Sequence, residues 1–360
     1  MVAAIAGFPP EIDRLAGCNL SGHGFLRAAW YCGNGRQAGR TLVVRRGAAA
    51  DDSAVIAVIP TAPFGPAIAG ARKVAGSYWP LRGALIAPDC SAIELAQALD
   101  HPAARSLGPL WRIGPARGND PTTQRIIAAA QMAGWTVLSR AAGTSWVIDL
   151  DDARTQGWPR ASTSKRLRRI ERRLATTGRV TWQLVRGHGW DAGVLADLGT
   201  IEAESWIAAQ TNGSGAKFLT PRQRRGWQDM LADPILADKL CATIVRVDDR
   251  PVAFTFDLDD GPVRYGIAGS YVSDFGGYDI GKLANYRSMA DAMAAGLSLL
   301  DLGAGDSGYK RDMGATEGYV LADLLFVRNR AAARLMAKLW GEAAEPSDLQ
   351  KPLFAGHDHG

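Results

Sequence analysis

The chain has 360 residues, 47% hydrophobic and 21% charged, with a net charge of +5. This length suggests two domains, and the apolar content supplies a sizeable core, which excludes a disordered or fibrous chain. No run of about 18 apolar residues occurs, so no membrane span is expected. Met1–Pro10 lacks the basic and apolar regions of a secretion signal, and a cytoplasmic location is expected.

The first 150 residues read as a mixed α/β set. Thr41–Arg45 and Val55–Ile59 have strand composition, with Pro60 closing the second. Ser91-Ala-Ile-Glu94 is a capping box that opens a helix running to about Leu99. Leu110–Ile113 is a further strand. Asp120-Pro121 starts a helix with an acidic cap and a proline at its first position, and Gly134 ends it. Trp135–Ser139 and Ser145–Leu150 complete the set. The loops 64–79 and 112–120 are rich in Gly and Pro, and no fixed-period repeat is present. Cys18, Cys32, Cys90 and Cys241 are scattered without metal or redox spacing, so they read as isolated thiols and no metal is expected.

Residues 151–164 read as a linker. The charge then becomes local. Residues 160–179 hold eight basic side chains (Arg160, Lys165, Arg166, Arg168, Arg169, Arg172, Arg173 and Arg179) against Glu171 alone. The rest of the chain carries 33 basic and 35 acidic residues, so the whole excess sits in this segment. Ser162, Thr163 or Ser164 can cap a helix here, and Gly178 can end it. Leu167, Ile170 and Leu174 form only a narrow apolar stripe, so most of the arginines face solvent or a partner. Three readings stand for this helix: a surface helix paired with acidic residues of the other domain, a docking face for an anionic ligand, glycan or lipid headgroup, or a tRNA contact. A further helix is expected over 194–207, and His188 is a loop histidine without an identifiable partner.

The richest stretch runs from Thr243 to Gly314. Val252, Phe254, Phe256 and Leu258 alternate with Ala253, Thr255 and Asp257, the pattern of a half-buried strand. Asp259-Asp-Gly-Pro262 is a turn. Val263, Tyr265, Ile267, Gly269 and Tyr271 resume the alternation, which gives an antiparallel meander. After a glycine-rich loop, Leu283, Tyr286, Ala290, Met293 and Leu297 recur at helical spacing from Gly281 to Gly296. The helix start leaves amides free and presents the positive end of the helix dipole, a setting for a phosphate or pyrophosphate. Gly281 permits close approach there, and Lys282 can add a charge. An ordinary helix following a glycine loop is the alternative. Leu297–Leu302 has the composition of an inner strand. Asp301 within it is a candidate base if burial raises its pKa, or a tie for the loop 303–308. Asp306 and Lys310 are candidates to line an acceptor pocket. The residues from Glu345 on read as a flexible tail.

The run Arg250-Pro-Val-Ala-Phe254, then Tyr278-Asp-Ile-Gly-Lys-Leu-Ala284, Leu300-Asp-Leu-Gly-Ala-Gly305 and Tyr309-Lys310 resembles the core of the GNAT acyltransferases. More narrowly, it resembles the cellulose-biosynthesis (CelD)-like branch, related to the Fem-type peptidyltransferases. The resemblance covers about residues 155–330. The family's pyrophosphate loop begins with an arginine or glutamine that is not evident before Gly281, although Gly281 and Ala284 match.

The resemblance implies a mixed-sheet α/β fold with tandem GNAT-like domains. These would be a degenerate one over 1–150, a linker over 151–164, the acyltransferase domain over 165–344 and a tail over 345–360. It implies acetyl-CoA or another acyl-CoA as co-substrate and direct attack of an amine or hydroxyl on the thioester, with a small-molecule or glycan-precursor acceptor. Cofactor contacts would fall on the strand residues Ala268, Gly269, Ser270 and Tyr271, and on Gly281, Lys282, Leu283 and Ala284. Tyr309 would protonate the leaving thiolate or else pack under its loop. Glu202, Glu204 and Trp206 would border the acceptor cleft. The Fem-type relatives imply a rival, an aminoacyl-tRNA-dependent transferase, and a non-enzymatic accessory of envelope polysaccharide production is a third reading.

Overall fold

The computed structural model describes residues 1–18, 22–32, 39–47, 55–76, 82–211, 213, 215–305 and 308–343. Its strands in chain order are β1 Val2–Ala6, β2 Arg40–Arg45, β3 Val55–Pro63, β4 Ala71–Val74, β5 Leu85–Ile86, β6 Leu110–Arg117, β7 Thr136–Asp149, β8 Val180–Arg186, β9 Leu240–Val247, β10 Arg250–Asp260, β11 Val263–Tyr271, β12 Leu299–Ala304 and β13 Thr316–Val327. The chain divides into two compact units. One comprises Met1–Ser145 with the segment from Glu317, the other Trp146–Thr316.

In the first unit the strands run β1-β2-β3-β4-β6-β13-β7, with β5 beside β3. The first four are antiparallel neighbours. The step from β4 to β6 is parallel, and β13 returns antiparallel to β6, with Leu325 opposite Arg112. The last strand therefore belongs to the first unit, whereas the sequence reading assigned it to the second domain. Pro60 does not close β3, which continues to Pro63 because Pro60 keeps its carbonyl in the ladder and accepts from Ala75 N–H at 3.4 Å. The two strands expected at 135–150 are one strand, β7. The capping box at Ser91–Glu94 and the Asp120 cap form as expected, with Asp120 accepting from Thr123 N–H at 2.8 Å.

In the second unit the order from the edge is β8-β9-β10-β11-β12, with the end of β7 beyond. The β8 to β11 meander is antiparallel and the step to β12 is parallel. The β10 alternation was expected to bury one face, but both are buried. Phe254 and Phe256 meet Phe218 edge-on, with centroids 5.8 and 5.0 Å apart, and Trp227 lies 4.7 Å from Phe256. The opposite face of β10 carries Asp257, which meets the helix Ile280–Ala294 through Ser288. That helix also holds the apolar cluster of Tyr286, Met289 and Ala292 with Ile148, Leu150 and Leu300. The expected linker contains a helix, Leu150–Thr155, capped by Asp149. The basic helix spans Ala161–Leu174, starting before the expected caps and without a side-chain cap. The tail from Glu345 lies outside the described residues.

Candidate active site

The second unit opens where β11 and β12 part. Their ladder comprises Val263–Leu299, Arg264–Leu300 and Tyr265–Asp301. Gly266 follows at a point of close approach, where a Cβ would stand 3.2 Å from the Asp301 carbonyl oxygen. Ile267 is then the extra residue of a bulge, since Asp257 pairs with Gly266 and Phe256 with Ala268. Val272 N–H donates to Val252 O at 2.9 Å. By strand alternation, Ser270 and Ala268 direct their amides to β10, whereas Gly269 and Tyr271 direct theirs to the side that β12 has left. Among the described residues the buried Ser270 hydroxyl has no hydrogen-bond partner.

Beyond Tyr271, the turn Ser273–Tyr278 leads to Asp279, held in the left-handed region at φ 60° and ψ 28°, and to the helix Ile280–Ala294. The Asp279 carbonyl accepts from Lys282 N–H at 3.0 Å and Leu283 N–H at 3.3 Å. Among the described residues the N–H groups of Ile280 and Gly281 have no acceptor, and the helix has no side-chain cap. Gly281 is required for packing: a Cβ would lie 2.9 Å from Cδ1 of Tyr271, so on that side an aromatic ring takes the room expected for a ligand. Lys282 shares its charge with Asp279 at 3.6 Å and Asp312 at 3.1 Å. Leu283 and Ala284 are fully buried, and their side chains seat the helix on the sheet.

An ionic network that sequence reasoning missed fixes this helix to the strands. Arg264 is completely buried and grips Asp259 at 2.7 and 2.8 Å, the Ser288 carbonyl at 2.6 Å and Asp291 at 2.7 Å. The Ser288 hydroxyl donates to Asp257 at 2.8 Å. Burial pushes the Asp257 carboxyl up to about 6. The sequence shows these residues only as strand and helix members with charge, and their mutual contact is tertiary.

The loop after β12 is tied from both sides. Asp301 is buried and its Oδ1 accepts from Gly303 N–H at 2.7 Å. Lys310, also buried, donates from Nζ to the carbonyls of Gly303, Ala304 and Gly305 at 2.8, 3.0 and 2.8 Å. Three donors meeting three carbonyls make Lys310 a clamp instead of a pocket wall. Tyr309 opens the short helix Tyr309–Asp312 and packs, half-buried, against the cluster around Tyr286. Asp306 lies outside the described residues. Glu202 is fully buried, its carboxylate accepting from Lys217 N–H at 2.8 Å and Phe218 N–H at 2.6 Å, and burial raises its pKa. Glu202 therefore ties a loop down instead of facing a cleft. Glu204 pairs with Arg250, and its carbonyl accepts from Ser273 N–H at 3.0 Å, at the turn that leads to the helix start. Trp206 is 44% exposed.

The basic helix meets the same turn. Arg173 donates to the Gly277 carbonyl at 2.8 Å and lies 5.4 Å from the centre of the Tyr278 ring. Glu171 pairs with Arg287, which stacks on Trp182 at 3.7 Å. Among the described residues Lys165, Arg166, Arg168 and Arg169 form no ion pair. Arg168, Arg172, Arg179 and Trp182 line a surface groove of about 860 Å³. No helix among the described residues is long and apolar enough to cross a membrane, and none of their His, Cys, Asp and Glu side chains form a group of three or more suited to a metal ion.

Residues 161–311 match a family model described as an acetyltransferase (GNAT) domain. No curated protein matches the chain significantly. Among solved structures, the chain is similar to the C-terminal domain of a protein from Agrobacterium fabrum described as a lysylphosphatidylglycerol synthetase. The identity is 14% and the TM-score 0.56, over 91% of this chain and 93% of that one. It is also similar to FemX at 11% identity and TM-score 0.54, over 91% and 97%. A tandem GNAT protein from the clavulanic acid biosynthesis pathway aligns at 14% identity and TM-score 0.48, over 91% and 97%. At these identities the likeness is one of fold.

Proposed function

We propose that residues 161–311, which match the GNAT acetyltransferase model, form an acyltransferase domain, and that the protein transfers an acyl group, acetyl in the first instance, from coenzyme A to an amine or hydroxyl. The acceptor is a small molecule or polysaccharide precursor, the setting is cytoplasmic, and the chain falls in the cellulose-biosynthesis (CelD)-like branch. The observation that carries this reading is the opening between β11 and β12, with the amides of Gly269 and Tyr271 directed into it. The acceptor attacks the thioester carbonyl, a C–N or C–O bond forms as the acceptor's proton passes to solvent, which later reprotonates the acid, and the developing oxyanion is held by those amides. The C–S bond then breaks and the thiolate takes a proton, for which Tyr309 is the assigned donor. The N–H groups of Ile280 and Gly281 suit the pyrophosphate, and the unpartnered Ser270 hydroxyl suits a bound polar group. Asp301 and Lys310 hold the loop that follows β12, and Glu204 and Trp206 are the residues we assign to the acceptor side.

Calorimetry with acetyl-CoA tests this on wild type, Gly281→Glu and Lys282→Glu. Both variants place a carboxylate at the helix start, but only the first displaces Tyr271. Binding by wild type and its loss in both variants is the expected result. Absence of binding by wild type, with longer acyl-CoAs included, overturns the reading. A second reading, aminoacyl-tRNA-dependent transfer, is favoured by the groove lined by Arg168, Arg172 and Arg179. Arg168→Glu with Arg172→Glu would abolish tRNA-dependent transfer and leave acyl-CoA turnover nearly unchanged.

A further inference from the structure

In the first unit, cations gather around a single carboxylate. Lys73 of β4 and Arg112 of β6 are direct partners in the parallel ladder, so like charges stand side by side, an arrangement that costs stability. Asp323 of β13 lies at the register shift opposite Gly114 and Pro115. Its side chain is 2% exposed. It accepts from Arg112 at 2.8 and 2.9 Å and from Arg140 at 3.0 and 2.7 Å, so both oxygens are engaged. Arg82 and Lys73 are left over. The Arg82 Nε is buried without an acceptor, and among the described residues neither side chain forms a hydrogen bond or ion pair.

The group is also held in place. Arg112 lies 5.3 Å from the Phe64 ring and 5.5 Å from the Trp340 ring, and Arg140 lies 3.8 Å from Trp340. Trp340 is fixed in turn by its Nε1–H, which donates to the Asp323 carbonyl at 3.1 Å. Burial and the charges of Arg82 and Arg112 lower the pKa of Lys73; burial and Arg112 lower that of Arg82. Four cations against one carboxylate leave a half-buried excess of positive charge, which a folded chain retains at a cost unless an anion joins it.

We propose that Lys73, Arg82, Arg112 and Arg140 form an oxyanion site in the first unit that takes a phosphate group. Guanidinium forks match pairs of phosphate oxygens, and a doubly charged group offsets most of the excess. The site stands where the β4–β6 ladder ends, at the same step of the strand order as the β11–β12 opening in the second unit. It does not depend on the acyl-transfer reading.

The test is titration of the full chain with inorganic phosphate and, separately, with glucose 1-phosphate, followed by calorimetry. Saturable binding is expected, weakened by about tenfold in Arg82→Gln and in Lys73→Met, as for loss of one charge-assisted hydrogen bond. Tighter binding of the ester assigns the site to a phosphorylated organic ligand, and tighter binding of phosphate to the free ion. In phosphate-free buffer Lys73→Met is expected to raise Tm, because it removes an unpaired charge, and added phosphate then stabilises the variant less than wild type. No saturable binding, equal binding by wild type and both variants, or loss of binding in an Arg168→Gln, Arg172→Gln control overturns the proposal.

Discussion

The two units repeat one strand succession, four antiparallel neighbours followed by a parallel step, yet they treat the helix before the parallel strand differently. In the first unit, helix Ala92–Asp100 begins with a side-chain capping box: Ser91 Oγ accepts from Glu94 N–H at 3.2 Å, and Glu94 accepts from Ser91 N–H at 2.9 Å. In the second, helix Ile280–Ala294 starts from a left-handed aspartate without a side-chain cap. A capping box places a carboxylate of the protein at the helix start, whereas an uncapped start beside parted strands leaves that place to another anion. The same contrast recurs in the charges. The second unit buries a closed ionic network around Arg264, while the first leaves cations unanswered around Asp323.

Four perturbations bear on this contrast. The largest effect is expected from Arg264→Met, which leaves Asp259 and Asp291 only the partly exposed Arg186 as a cation and should cost about 3–5 kcal/mol in urea denaturation; a loss below about 1 kcal/mol would mean that Arg186 alone holds the network. Next is Asp257→Asn. Burial raises the folded-state pKa to about 6, above the unfolded value of about 4. The group's contribution is therefore fully present below about pH 4 and is lost as pH rises to about 6, an expected decline near 3 kcal/mol. The asparagine variant should lack that slope, so the difference between the two proteins, followed by denaturation from pH 4 to 8, should fall and then level off. Ser91→Ala should cost about 1 kcal/mol and leave acetyl-CoA affinity unchanged, because the capped end belongs to structure alone. The smallest effect is expected from Arg168→Glu: within about 0.5 kcal/mol in thermal melts, since no ion pair is lost.

Where local chemistry decides the outcome, the sequence was legible. The alternation of β10 and β11, the capping box at Ser91 and the helix bounded by Gly281 and Gly296 are set by neighbours a few residues apart. Gly281 stands out in the sequence as a point of close approach, but its packing against Tyr271, ten residues earlier, is tertiary. Lys310, Asp301 and Glu202 are polar residues in a region expected to carry chemistry, and their ends are spent on backbone groups that no spacing rule reveals. Arg173 was hidden among seven other cations, because composition cannot say which member of a charge cluster turns toward the chain. The placement of β13 was equally out of reach, since pairing with β6 joins residues about 200 positions apart.

That placement has a consequence for biosynthesis. β13 lies between β6 and β7 in the first unit's strand order, so the sheet that begins at Val2 cannot be completed until Val327 has left the ribosome. Everything from Trp146 to Thr316 emerges in the meantime and contains its own meander, parallel step and core. The order of synthesis and the order of completion are thus reversed: the unit begun first is finished after the second, and its β6 edge awaits β13.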